Sequence, residues 1–234
     1  MTRKDRFVSN HFYHIYSRTV LNVPEFKKKE NANKLVQAFL LANSTKSGQA
    51  FNYLRNDRSA TLEKALEVIK EGRKLVDVLC YTIMPDHYHL LLRQLTEGGI
   101  TEFIRKCNTS IAKYINIKNN RTGSLFESCF KSKYINSNEY LLHLSLYIHL
   151  NPLDFIDNKN WRYNKLRDWR FKKEKLLNYP WSSLKKFLNK DYKDPILSGI
   201  KMISNQFNNS REYELFLKEW SEGTLFQIGD LVID

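Results

Sequence analysis

The chain predicts an α+β fold: an antiparallel sheet with helices packed on one side. Three observations predict it. Short runs rich in Val, Ile, Tyr and Phe read as strands. Longer segments repeat apolar residues at helical spacing. The two kinds alternate in the order β-α-(α)-β-β-α-β-α, which a ferredoxin-like βαββαβ core fits. That topology places the strand around residues 87–94 centrally.

The first strand is read in residues 9–20, with Phe12, His14 and Tyr16 on one face and Tyr13 and Ile15 on the other. Asn22-Val23-Pro24-Glu25 opens a helix carrying Leu35, Phe39 and Leu40. Residues 43–60 are polar and read as a loop, followed by a short basic helix from Ala60 to Leu75. Two strands at 75–82 and 87–94 flank the tight turn Met84-Pro85-Asp86. Gly98-Gly99 precedes a second long helix, in which Ile100, Phe103, Ile104, Cys107, Ile111, Tyr114 and Ile115 follow a 3.6-residue period. Short extended pieces follow at 124–130 and 131–135. Ser137-Asn138-Glu139 caps a third helix that Asn151-Pro152 stops. The expected organisation is a core over 1–155 and a basic, mainly helical extension over 156–234, with helices at 182–189, 195–207 and 210–221.

The charge points to a partner. The chain carries 38 Lys and Arg against 25 Asp and Glu, a net +13, with 13 Tyr, 14 Phe and 4 Trp. An excess of that size, interleaved with aromatics, favours a polyanion and above all nucleic acid. Cys80, Cys107 and Cys129 have no metal-type spacing and read as reduced thiols of a cytoplasmic protein. No apolar stretch follows the basic start, and nowhere does the chain reach the run of about 18 apolar residues that spans a bilayer. Membrane partners are therefore not expected.

Two local patterns carry chemistry. His87 and His89 lie two apart on a strand, so their imidazoles share one face about 7 Å apart along the backbone. Such a pair suits a divalent metal, and it equally suits hydrogen-bonded histidines on a half-wet sheet. On the third helix His143, Tyr147 and Asn151 are four apart and share a stripe. A solvent-facing edge would give the same pattern. A tyrosine with an amide one turn later is also what a metal-assisted phosphoryl transfer could use, the phenol as nucleophile and the amide oxygen as a further ligand.

The segments MPDHYHLLL, TEFIRKCNTSIAKYIN, RTGSLFESCFKSKYI, NEYLLHLSLYIHLNPL and YPWSSL, in that order, resemble the REP-associated tyrosine transposases. These are relatives of the single-strand insertion-sequence transposases among the HUH nucleases. The resemblance implies a ferredoxin-like fold that binds hairpin single-stranded DNA and cleaves it through a 5′-phosphotyrosine. It implies His87 and His89 as ligands of Mg²⁺ or Mn²⁺, Tyr147 as nucleophile and Asn151 as a third ligand. His143 and His149 receive no role, and Tyr140 is the rival nucleophile.

Phosphate contacts are expected from Arg105, Lys106, Lys113, Arg121, Lys131 and Lys133, and from the cluster Arg162, Lys165, Arg167, Arg170, Lys172, Lys173 and Lys175. Tyr13, Tyr16, Trp161 and Trp169 are candidates to stack unpaired bases, and Trp181 reads as core. The expected state is a monomer or a homodimer. Two other readings compete: a hairpin-binding protein that does not cut, and a metal-dependent hydrolase without a covalent intermediate.

Overall fold

A computed structural model describes residues 6–156, 161 and 168–222. Four strands form one sheet: β1 (Phe12–Arg18), β2 (Val76–Ile83), β3 (His87–Gln94) and β4 (Lys131–Ile135). Their order is β2-β3-β1-β4, each neighbour antiparallel, as the βαββαβ reading requires. Aromatic and β-branched side chains fill these strands because they fit a pleated, packed surface.

On the first face, α1 (Lys29–Ala42) and α4 (Gly99–Lys118) cover Tyr13, Ile15, Val76, Val78, Tyr88, Leu90 and Leu92. Gly98 begins α4 in the left-handed conformation, φ 68°. Gly99 passes so close to the Leu75 carbonyl that a side chain has no room.

The second face is covered too, which corrects the expectation of helices on one side. There α5 (Asn138–Leu150) packs with α6 (Leu153–Ile156), α7 (Trp169–Asn178), α8 (Leu184–Leu188), α9 (Lys201–Ser204) and α10 (Ser210–Ser221). They share a core of Leu79, Cys80, Leu91, Leu144, Ile148, Leu217 and Trp220. A bulge between Val78 and Cys80 makes this two-sided burial consistent. It shifts the alternation, so that Tyr81 and Ile83 rejoin Val76 and Val78 on the first face. Every residue of β2 is buried, as a strand between two layers should be.

The helix α5 starts where Ser137 Oγ accepts from Tyr140 N–H at 3.1 Å. Residues 43–60 are not the expected loop: α2 (Ser47–Asn56) lies there and packs on α3 (Leu62–Lys70) through Ala50 and Ala65. The helix α7 is likewise additional to the predicted set. Cys80 and Cys107 are buried, and Cys129 is exposed.

The extension also closes one edge of the sheet. Ile83 N–H donates to Trp181 O at 2.9 Å, Ser183 N–H to Tyr81 O at 3.1 Å, and Gly199 N–H to Val78 O at 3.0 Å. Gly199 is needed for this approach, because a Cβ there would meet Asp77 Cβ and Leu79 Cδ1, each at 2.9 Å. Among the described residues no helix is long and apolar enough to cross a membrane.

Candidate active site

The strand register assembles the site row by row. Directly paired residues share a face, so one row runs Thr82, His89, Tyr16, Lys131 across all four strands. The next contains Leu91, His14 and Lys133, and at the other end Arg18 stands opposite His87. The central strand position puts the imidazoles within reach of α5, which lies over this face.

Tyr147 faces them. Its ring centroid is 5.8 Å from that of His89 and 6.5 Å from that of His14, edge-on to both. The rings of His87 and His89 are 4.9 Å apart and nearly perpendicular. The half-wet reading of the pair does not hold: His87 is 6% exposed and His89 is 0% exposed. Tyr147 and Asn151 are fully buried as well, so the stripe on α5 is not a solvent edge.

His87 Nδ1 lies 2.7 Å from Asp86 Oδ1. Burial works to raise the Asp86 carboxyl, but the hydrogen bond and charge of His87, with Arg18, outweigh it and hold the pKa below the usual carboxylate value. A carboxylate only accepts, so this bond places a proton on Nδ1, and in the neutral ring the lone pair is then on Nε2. That Nε2 is buried and has no hydrogen-bond partner. A buried ring nitrogen so oriented fits a metal ligand. No group of three or more His, Cys, Asp and Glu placed to hold a metal occurs among the described residues. The Asn151 amide N–H donates to Tyr147 O at 3.0 Å, which ties that side chain to the end of α5.

Residues 41–151 match the family model described as IS200-like transposase. This segment is similar to that family. It contains both histidines, Tyr147 and Asn151. No curated protein gives a significant match. Among solved structures, this chain is similar to a REP-associated tyrosine transposase bound to a REP hairpin. The TM-score is 0.49 at 10% identity, covering 85% of this chain and 92% of that one.

The expected phosphate contacts divide. Lys131 and Lys133 lie on the imidazole face, above the rings of Tyr16 and Tyr140 at 5.6 and 5.2 Å. Arg105 and Lys113 are exposed on α4, in the other layer, where they border a hollow of about 440 Å³ with Phe51 and Arg55. Lys106 is committed to Glu102 and Ser47. Arg121 donates to Ser124 O at 3.1 Å and pairs with Glu25 at 3.4 Å. Arg170 is exposed on α7, while Arg162, Lys165 and Arg167 lie outside the described residues.

The stacking candidates need correction. Tyr13, Tyr16 and Trp161 are buried, and Trp169 is half-buried. Trp161 packs 6.4 Å from Tyr147 and donates its N–H to Asp154. Trp181 is only partly buried against the first core. Residue spacing gave no role to His14 or Arg18, because only the pairing of β1 with β3 brings them to the histidines.

Proposed function

We propose that the protein is a metal-dependent single-stranded DNA endonuclease and strand transferase. It cleaves hairpin-associated DNA through a 5′-phosphotyrosine at Tyr147. The observation that carries this is the phenol of α5 lying against the imidazole face of the sheet, 5.8 Å from His89 between ring centroids. The match of residues 41–151 to the IS200-like transposase family supports the same chemistry.

His87, His89 and the Asn151 amide oxygen are the proposed ligands of Mg²⁺ or Mn²⁺. Two imidazoles favour Mn²⁺ of that pair, since Mg²⁺ takes oxygen ligands almost exclusively. Bound there, the cation would offset charge on the phosphate oxygens and align phosphorus for in-line attack. Asp86 holds His87 in the ligating tautomer. Tyr147 Oη loses its proton and bonds to phosphorus, the P–O3′ bond breaks, and the 3′ oxygen leaves as a hydroxyl after gaining a proton. The phosphotyrosine retains the bond energy, so another 3′-hydroxyl rejoins the strand without ATP. Lys131, Lys133 and Arg18 are placed to hold the backbone beside that face.

Tyr147 is fully buried, so a phosphate reaches it only when α5 or its cover shifts. That burial favours a second reading, a hairpin-binding protein that does not cut. A hairpin oligonucleotide incubated with Mn²⁺ and run on a denaturing gel decides. A covalent adduct that Tyr147→Phe abolishes with binding intact, and that His87→Ala also removes, is expected. An adduct surviving in Tyr147→Phe rejects the nucleophile; binding without any adduct selects the second reading.

A further inference from the structure

His14 is the residue that engages His89. Its Nε2 lies 2.9 Å from His89 Nδ1, and both side chains are fully buried. The two rings are stacked 20° from parallel with centroids 5.1 Å apart, and Tyr16 packs 5.9 Å from His89 on the same strand as His14. This is a fixed arrangement between β1 and β3 rather than a surface contact.

A hydrogen bond between two neutral imidazoles has one donor and one acceptor, and its direction sets the tautomer of each ring. If His14 donates, His89 carries its proton on Nε2, and that nitrogen has no lone pair for a cation. If His89 donates from Nδ1, its Nε2 carries the lone pair that ligation requires. His87 reaches that state through the carboxylate of Asp86, 2.7 Å from its Nδ1. His89 faces the imidazole of His14 at the corresponding nitrogen.

We propose that His14 is a positioning residue: it accepts the Nδ1 proton of His89 and holds His89 in the tautomer that binds a divalent cation through Nε2. His14 and Asp86 then perform the same task for the two ligating rings, one neutral and one anionic. Outer partners of metal-binding histidines act in this way, orienting the ring and raising its basicity. The inference rests on the metal-site reading of His87 and His89.

The test uses Mn²⁺ alone, without DNA. Calorimetry measures its affinity for the full chain and for His14→Phe, His14→Gln and His87→Ala. Long-range ¹H–¹⁵N spectra of the metal-free wild type report which His89 nitrogen is protonated. The expected result is a proton on His89 Nδ1 and Mn²⁺ affinity lowered roughly 10- to 100-fold in His14→Phe. In His14→Gln the amide oxygen can still accept, so most of the affinity returns.

The outcomes separate cleanly. If wild type binds no Mn²⁺, or His87→Ala binds it equally well, the metal-site reading fails and this inference with it. If His87→Ala loses Mn²⁺ while His14→Phe keeps it, only the role of His14 is overturned. Should the Phe variant not fold, a proton found on His89 Nε2 in the wild type is enough to reject the proposal.

Discussion

His149 stands two residues beyond Tyr147 on the same helix and is spent on packing rather than chemistry. Its Nδ1 lies 2.7 Å from Tyr213 Oη and its Nε2 2.8 Å from Ser183 Oγ. Ser183 also accepts from Tyr81 N–H at 2.9 Å, so this imidazole links α5 to β2 and to α10. Burial lowers its pKa from 6.5 to about 3. The sign follows from which state binds the proton. The unfolded chain protonates near pH 6.5 while the folded one stays neutral. His149 therefore adds stability in full above that pH and loses it as pH falls toward 3, with a slope of up to about 1.4 kcal/mol per pH unit. Urea midpoints measured from pH 7 to pH 4 should fall less steeply in His149→Gln than in wild type. Equal slopes would mean that another group takes up the proton.

Among single residues, spacing put His87 with His89, and Tyr147 with Asn151, because each periodicity fixes which side chains share a face. It said nothing of His14, whose partner is 75 positions away on another strand. It also misjudged Trp161. An indole in a basic stretch looks available for stacking, but its burial depends on α5 and α10 closing over it. Lys106 is a similar case, its charge answered by Glu102 one turn earlier and by Ser47 on α2.

Elements with strong local signals were legible. Gly98-Gly99 marks the start of α4 and Ser137 caps α5, each for a stereochemical reason that needs no tertiary contact. Gly99 has a second constraint, the Leu75 backbone carbonyl, with Thr96 Oγ1 at 2.8 Å from the position of an added Cβ. Gly99→Ala should destabilise the protein by about 1–3 kcal/mol through overpacking, read as a lower urea midpoint with unchanged m-value. An unchanged midpoint would show that the β3–α4 connection relaxes freely. The helix α2 was not legible. Its sequence SGQAFNYLRN is rich in weak helix formers, and its stability comes from Ala50 and Phe51 packing on Leu41 and α3.

At the scale of the molecule, the extension beyond residue 155 packs on the core. The extension supplies Leu176, Leu184, Phe187, Tyr213 and Trp220 to the core that holds Tyr147, and it caps the β2 edge. The other edge, β4, carries Lys131 and Lys133 beside the imidazoles. With a net charge of +13, hairpin binding should weaken linearly in log K with log salt. Changing both lysines to Gln should flatten that slope by about 0.7 for each lost contact on a single strand. Titrations in chelator between low and moderate salt measure it, and an unaltered slope would remove these two lysines from the interface.

The sequence by itself determined the α+β class and which candidate residues share a face on one strand and one helix. Those follow from periodicity, capping and turn chemistry, which act within a few residues. Only the tertiary structure decided that both sheet faces are covered, that Asp86 and His14 engage the two imidazoles, and that Tyr147 lies buried against them. Each of these depends on segments far apart in the chain meeting in a shared core, and no local pattern records which distant side chain will answer a buried polar atom.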